Sequence, residues 1–151
     1  MNIEDQHAFT IASSPLPLRN YHELLLRALH HSSFKVLTET RLSVAGDYPH
    51  HTNDCTVLIL WSPFLAYQTL RLDPNARLML PFCLILRKDK SGGSRLLAPN
   101  YRQVEACETT LAGRVLAHVL ESQIRQLLSE VSDLDAHEQA LVGGGPRFSS
   151  C

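Results

Sequence analysis

The chain has 151 residues and a mass of 16.9 kDa, a size that corresponds to a single domain with one hydrophobic core. Its 14 basic and 15 acidic residues give a formal charge of -1, so the protein as a whole does not attract nucleic acid. Hydrophobic residues make up 44% and charged residues 19%, which excludes a disordered chain and is typical of a globular domain.

The first third of the chain predicts two strands and one amphipathic helix. Residues 7–12 are short, apolar and β-prone, and they predict an edge strand that ends before Pro15. From Pro17 onwards, apolar residues at three- and four-residue steps predict a helix that ends near residues 30–33. Residues 34–40 alternate apolar and polar side chains, which predicts a half-buried strand.

A loop, a buried strand and a short helix are predicted next. Residues 41–54 show no period and contain turn-forming residues, so they predict a long loop, whereas the apolar run 55–61 predicts a mostly buried strand. Ser62 before Pro63 is typical of a helix start. Phe64, Tyr67 and Leu70 are expected to share one side of this helix, which ends near residues 73–75.

The last part of the chain predicts a hairpin and a long helix. Residues 78–88 and 95–98 predict two paired strands, the first of which pairs only beyond Pro81. Thr109 or Thr110 can cap a helix whose broad apolar stripe extends to Val131.

These elements predict an α+β fold, a two-layer sandwich. We expect a mainly antiparallel sheet of four to five strands, with two long helices on one side and one short helix. Residues 1–132 are expected to form a single domain, and residues 133–151 a flexible C-terminal tail.

Several short motifs between residues 18 and 100 occur in a recognisable order and spacing. They comprise Phe34, Val36, Glu39, Pro63, Ala66, Leu70, Asp73, Pro74, Leu80 and Pro81. In these residues the chain resembles the domain-of-unknown-function family 302, small α/β domains with a GF-x-V strand, a CNP-x-x-A segment, a D-P and an LPC strand. The resemblance implies a compact α+β domain with an antiparallel sheet, helices on one side, and a homodimer.

The chain departs from this family pattern where the pattern has cysteine and asparagine. Trp61 and Ser62 stand in place of Cys-Asn, and Phe82 stands in place of the cysteine after Leu-Pro. Cys83 is one residue further along and points to the opposite face of a strand, so it is not a positional substitute. The resemblance therefore supplies no thiol function, and the family has no settled reaction.

Aromatic residues around the start of the short helix are the first candidate site. Trp61, Ser62, Phe64, Tyr67 and Phe82 can line an apolar pocket for a small ligand or a protein partner. The alternative is that these aromatic side chains belong to the core. That interpretation is the default, because small apolar clusters mostly serve packing.

Histidine pairs are the second candidate site. His50 or His51, together with Cys55 or His31, can bind a transition metal or haem iron through imidazole and thiolate. Adjacent histidines diverge, however, so each pair offers one ligand at a time. The preferred interpretation is that these histidines lie at a helix end and in a solvated loop.

The spacing of the cysteines and the absence of known motifs decide the order of the functional hypotheses. The four cysteines form no CxxC pair, and the sequence has no pattern of a signal peptide or of a spanning segment, so we expect a cytoplasmic protein with no membrane partner. No catalytic or nucleotide-binding motif occurs in the sequence. The leading hypothesis is a non-catalytic homodimer that binds a small ligand or a protein. A redox, haem or metal-binding protein is the alternative, and a hydrolase using Cys55 or Ser62 is third. Cys83 is expected to be a buried hydrophobe. The apolar stripe of the long helix is expected to belong to the core, with a dimer contact through Leu120, Ile124 and Leu128 as the alternative.

Overall fold

The computed structural model describes residues 1–6, 9–42, 55–72, 74 and 81–143. Within these residues the strands form one antiparallel sheet of order β1-β2-β6-β5-β4-β3. The α+β class is confirmed, but the sheet has six strands and not the expected four to five. The elements in chain order are β1 (Asn2–Asp5), β2 (Phe9–Ser14), α1 (Leu18–His30), β3 (Lys35–Leu42), β4 (Cys55–Trp61), α2 (Pro63–Leu72), β5 (Phe82–Lys88), β6 (Ser94–Pro99), α3 (Tyr101–Cys107) and α4 (Leu111–Gly143).

The additional strand, β1, lies at one edge of the sheet. Its sequence, Asn-Ile-Glu-Asp, is polar and all four residues are exposed, so no burial pattern marks it as a strand. It pairs with β2 from Asn2 opposite Ser13 to Asp5 opposite Thr10. The strand predicted at residues 7–12 is present in its described part as β2, but it is not an edge strand, because β1 pairs with its outer side.

One face of the sheet carries the hydrophobic core. In β4 the side chains of Leu58 and Leu60 are completely buried, whereas their neighbours along the strand are half-buried. This alternation is the period-two pattern of a sheet with one packed face. The core also contains Leu120, Ile124 and Leu128 of α4, which are at most 1% exposed. The core interpretation of these residues is therefore confirmed, and the alternative of a dimer contact is wrong.

The opposite face of the sheet is apolar and only half-buried. Val57, Ile85 and Leu97 are successive neighbours across three strands of this face. Cys83 lies on the same face and is exposed, because alternation along β5 directs Phe82 into the core instead. The prediction that Cys83 is a buried hydrophobe is wrong for that reason.

Strand β3 forms the other edge of the sheet. It pairs only with β4, and all eight of its residues are exposed, whereas the sequence predicted a half-buried strand. The register shifts between Val36 and Thr38, which makes Leu37 the extra residue of a β-bulge.

Helices α1 and α4 begin where the sequence predicts them to begin. Helix α1 follows Pro17, and Thr110 caps α4 because its Oγ1 accepts the Gly113 backbone N–H at 3.0 Å. Helix α4 does not end near Val131 but continues to Gly143. Residues 133–143 are therefore helical, and the prediction that a flexible tail begins at residue 133 does not hold for these residues.

A buried carboxylate fixes this C-terminal extension of α4. Asp135 is fully buried and accepts hydrogen bonds from Ser14 Oγ at 2.8 Å and from Gln139 Nε2 at 2.9 Å. The Met1 amino group lies 3.6 Å from the same carboxylate. These partners join the end of α4 to strands β1 and β2, and they offset the cost of burying the charge.

An ion-pair network joins β1 to the helices α3 and α4. Glu121 is 7% exposed and accepts the Tyr101 backbone N–H at 3.0 Å and Arg125 Nε at 2.9 Å. The Arg125 guanidinium also contacts the Asp5 carboxylate. Partial burial acts to raise the pKa of Asp5, but the hydrogen bond from Thr10 and the guanidinium of Arg125 outweigh burial and lower that pKa below its ordinary value.

The β5–β6 turn packs closely against the end of β2. Gly92 has φ of 90°, a backbone conformation that side chains rarely adopt. A Cβ atom at Gly93 would lie 2.3 Å from the Ser14 carbonyl oxygen. The glycines of the predicted turn at residues 89–93 are therefore required both by conformation and by packing.

Candidate functional site

Ser62 connects β4 to α2 and caps the helix. Its Oγ accepts the Leu65 backbone N–H at 3.4 Å, and its carbonyl accepts the Ala66 backbone N–H at 2.9 Å. Ser62 is completely buried, so its hydroxyl is part of the helix start and does not reach solvent. The predicted serine cap before Pro63 is present, and Ser62 is not placed to act as a nucleophile.

The predicted aromatic pocket is not assembled as one site. Phe82 is 5% exposed and makes edge-to-face contacts with Phe34 and Tyr101, at centroid distances of 5.1 and 6.1 Å. Trp61 is half-buried and packs against the core. The core interpretation is therefore correct for Phe82. Burial in the same cluster raises the pKa of the Tyr101 phenol.

Helix α2 presents its aromatic residues to solvent. Phe64 is 64% exposed and Tyr67 is 60% exposed, whereas Leu65 and Thr69 face the interior. The expectation that Phe64 and Tyr67 belong to the core is wrong. Helix α2 is apolar on two sides, and the side that carries Leu65 is the one that is buried. Arg71 lies over the Tyr67 ring, 5.8 Å from its centroid, which is within reach of a cation–π contact.

An apolar groove runs between α2 and the first turns of α4. We call it the α2–α4 groove, and its volume is about 140 Å³. Phe64 is the one residue of the predicted aromatic site that lines it. The lining residues are Phe64, Leu65, Gln68, Thr69, Leu72, Ala112, Val115, Leu116 and Val119.

A larger and more polar cleft lies at the opposite end of β4. We call it the α1–β3 cleft, and its volume is about 460 Å³. It is formed by the first turns of α1, the end of β3 and the start of β4. Its described lining residues are Leu18, Arg19, His22, Arg41, Leu42, Cys55 and Thr56.

The charged residues of the α1–β3 cleft are partly paired. His22 Nε2 lies 2.9 Å from Glu39 Oε1, and Arg19 Nε lies 3.5 Å from Glu23 Oε1. In the described part of the chain Arg41 has no carboxylate within ion-pair distance. The cleft therefore contains one cation that is not neutralised by these neighbours.

The residues proposed to bind a metal are not brought together in the described ranges. Cys55 lines the α1–β3 cleft beside His22, but His31 is nine residues further along α1, about 13 Å at the rise of a helix. His50 and His51 lie outside the described residues. Among the residues that are described, no group of three or more His, Cys, Asp or Glu side chains is placed to hold a metal ion.

Neither the α2–α4 groove nor the α1–β3 cleft was predicted from the sequence. The buried face of α2, with Leu65 and Thr69, has the helical spacing that could have identified the first. The α1–β3 cleft is lined by residues from three elements, such as Arg19 and Arg41, which are far apart in sequence. No local spacing of residues could therefore have predicted it.

The architecture described above matches a known protein family. The profile of the family described as Domain of unknown function DUF302 matches residues 9–131. This chain belongs to that family. Within this DUF302 domain, Trp61 is the end of a strand, Ser62 is the cap of a helix and Phe82 is a core aromatic residue.

A solved structure has the same fold as this DUF302 domain. It is the crystal structure of the uncharacterized conserved protein DUF302 from Bacillus stearothermophilus, which is 15% identical. The similarity covers 82% of this chain and 97% of that chain, with a TM-score of 0.70. At this identity the comparison establishes the fold alone. No curated protein matches the chain.

None of the described helices combines the length and the apolar character that crossing a bilayer requires.

Proposed function

We propose that this DUF302 domain is a non-catalytic interaction domain that binds an apolar side chain of a protein partner in the α2–α4 groove. The observation that carries the proposal is the exposure of large apolar residues around the groove. Phe64 is 64% exposed, Leu72 is 66% exposed and Val115 is 47% exposed. Apolar residues that remain exposed together mark interaction surfaces more often than single exposed residues do.

The size of the groove favours a protein partner over a free small ligand. Pockets for drug-sized ligands have volumes of about 300–1,000 Å³, whereas an apolar cavity of about 150 Å³ holds one benzene molecule. The groove, at about 140 Å³, therefore accommodates one aromatic or branched aliphatic side chain. Such an anchor in a dry pocket is the usual centre of a protein–protein contact.

Polar residues border the groove and provide the rim of such a contact. Gln68 lines the groove, and Arg71 lies one turn further along α2 with its guanidinium over Tyr67. An apolar centre with a polar rim is the usual arrangement of a non-obligate interface. This arrangement fits a partner segment whose apolar anchor is flanked by polar residues.

Site-specific photo-crosslinking tests the proposal. A photoreactive phenylalanine analogue at position 64 is expected to give a crosslinked product of discrete mass in cells. Val115→Glu should abolish this product, because it places a charge in the groove. Leu141→Glu is the matched control, since Leu141 is 65% exposed on the same helix but lies outside the groove.

The proposal fails if Val115→Glu leaves the crosslinked product unchanged. It also fails if the analogue at position 141 gives the same product with the same yield. Far-UV circular dichroism of both glutamate variants, with unchanged thermal unfolding, excludes a folding defect as the cause of any loss.

We also propose that the domain forms a homodimer through the half-buried face of the sheet that carries Val57, Ile85 and Leu97. Four inner strands of about six residues give a contact area of about 400 Å² on each copy. The total of about 800 Å² is below the 1,200–2,000 Å² that stable interfaces bury. We therefore expect a weak dimer whose population depends on concentration.

Sedimentation velocity over a hundredfold concentration range tests the homodimer. The expected result is a mass that rises from 16.9 kDa towards twice that value. Ile85→Lys should keep the protein monomeric, and Ile3→Lys, at the β1 edge, should not. A mass that stays at the monomer value for the unmodified protein at every concentration contradicts the homodimer.

A further inference from the structure

The α1–β3 cleft has the volume of a small-molecule site, unlike the α2–α4 groove. Its volume of about 460 Å³ lies within the range of about 300–1,000 Å³ that pockets for small molecules occupy. The residues that line it come from three separate elements, α1, β3 and β4. It therefore offers a volume of this size that the proposed protein contact does not use.

The walls of the cleft combine apolar and cationic side chains. Leu18 and Leu42 supply apolar surface, and Arg19 and Arg41 supply positive charge. Arg19 is close to Glu23, but Arg41 has no carboxylate within ion-pair distance among the residues that the structure describes. Arginine presents several donors in a planar fork, which suits a carboxylate or phosphate group.

Two observations on the backbone and on Thr56 point to a ligand. Helix α1 begins after Pro17 with no side-chain cap and no acidic residue in its first turn, so no side chain compensates its first N–H groups or its dipole. Leu18 and Arg19 of this turn line the cleft. Thr56 lines the cleft and is only 5% exposed, and its hydroxyl has no hydrogen-bond partner in the described ranges. A hydroxyl can both donate and accept, so Thr56 offers a hydrogen bond to a ligand in the cleft.

We infer that the α1–β3 cleft binds a small amphipathic organic anion. Arg41 and the start of α1 bind the anionic group, Thr56 donates a hydrogen bond to it, and Leu18 and Leu42 contact the apolar part. Glu23 and Glu39 are not among the described residues that line the cleft, and Glu23 is paired with Arg19. The inference is independent of the interaction proposed for the α2–α4 groove.

NMR titration with sodium hexanoate tests the inference. Hexanoate has a carboxylate and a five-carbon apolar part, and 1-hexanol is the neutral probe of the same length. Hexanoate should shift the amide and methyl signals of Leu18, Leu42 and Thr56 in a saturable way, whereas 1-hexanol should bind at least fivefold more weakly. Inorganic phosphate, which lacks the apolar part, should also bind more weakly than hexanoate.

Matched arginine variants assign the binding to the cleft. Arg41→Gln should weaken hexanoate binding about three- to tenfold, as expected for the loss of one partly exposed charge-assisted hydrogen bond. Arg27→Gln is the control, because Arg27 is exposed on the same helix α1 near its other end. Thr56→Val, which keeps the shape of the side chain, should also weaken binding.

Three results would overturn the inference. They are equal binding of hexanoate and 1-hexanol, equal loss of affinity in Arg27→Gln and Arg41→Gln, and no saturable shift at the cleft with hexanoate. Hexanoate should also slow alkylation of Cys55 by iodoacetamide and leave alkylation of Cys107 unchanged, because only Cys55 lines the cleft.

Discussion

Replacing Glu121 with alanine tests whether the network between β1, α3 and α4 stabilises the fold. Glu121 is 7% exposed and accepts two close hydrogen bonds, from the Tyr101 backbone N–H and from Arg125. Hydrogen bonds to charged groups contribute about 1.5–3 kcal/mol each, whereas the third partner, Arg102, is 62% exposed and contributes little. We expect Glu121→Ala to lower the free energy of unfolding by about 3–5 kcal/mol.

Urea unfolding followed by far-UV circular dichroism at pH 7 measures this loss. Glu121→Gln should lose about 1 kcal/mol, because it keeps an acceptor for the Tyr101 N–H but removes the charge opposite Arg125. Glu105→Ala is the control, since Glu105 and its partner His118 are mostly exposed, and it should lose less than about 0.5 kcal/mol. If Glu121→Ala is no more destabilising than Glu105→Ala, the buried network does not hold these elements together.

Three further predictions concern the turn, the acid dependence and the open sheet face. Gly93→Ala should destabilise the protein by about 1–3 kcal/mol in thermal unfolding, because its Cβ would meet the Ser14 carbonyl oxygen at 2.3 Å; an unchanged melting temperature contradicts this. The lowered pKa of Asp5 means that its stabilising contribution is present above the unfolded-state pKa of about 3.9 and is lost as the pH falls through the lower folded-state value. Asp5→Asn should therefore be less stable than the unmodified protein at pH 6 and equally stable near pH 2, and a pH-independent difference contradicts the assignment. Cys83 is exposed, so its thiol should react with a thiol reagent in the folded protein. The substitution Cys83→Ser should change the free energy of unfolding by less than about 0.5 kcal/mol. Protection of the thiol until the protein unfolds would show that Cys83 is buried.

Elements with a local signal could be predicted from the sequence. The Ser62-Pro63 helix start, the Thr110 cap and the strand that begins beyond Pro81 are each specified by residues within one turn or one hairpin. The family resemblance over residues 18–100 was confirmed by the wider match over residues 9–131. These features depend on capping and proline geometry, which act over a few residues.

Elements that depend on tertiary contacts could not be predicted. Strand β1 is polar and exposed, so only its pairing with β2 defines it. The orientation of α2 was assigned to the wrong side, because Phe64 and Tyr67 have the same helical spacing as a buried face, although Leu65 and Thr69 are the residues that face inwards. Periodicity identifies a helix but does not choose between two apolar sides.

The candidate sites were the least predictable part. The aromatic residues named from sequence divide between core, helix cap and exposed surface, and only Phe64 lines the α2–α4 groove. The α1–β3 cleft depends on Arg41 at the end of one strand and Arg19 at the start of a helix, which are distant in sequence. Such juxtapositions arise from strand order, which a single sequence does not display.

The bulge at Leu37 has a consequence for how copies of the protein meet at high concentration. An exposed edge strand of eight residues is a template on which a strand of another molecule can add, and repeated addition leads to aggregation. The bulge interrupts the even spacing of backbone donors and acceptors along β3, and the exposed charges of Lys35, Glu39 and Arg41 oppose close approach of an uncharged strand. This edge therefore resists the addition of foreign strands, so contacts between molecules are directed to side-chain surfaces instead of the backbone of β3.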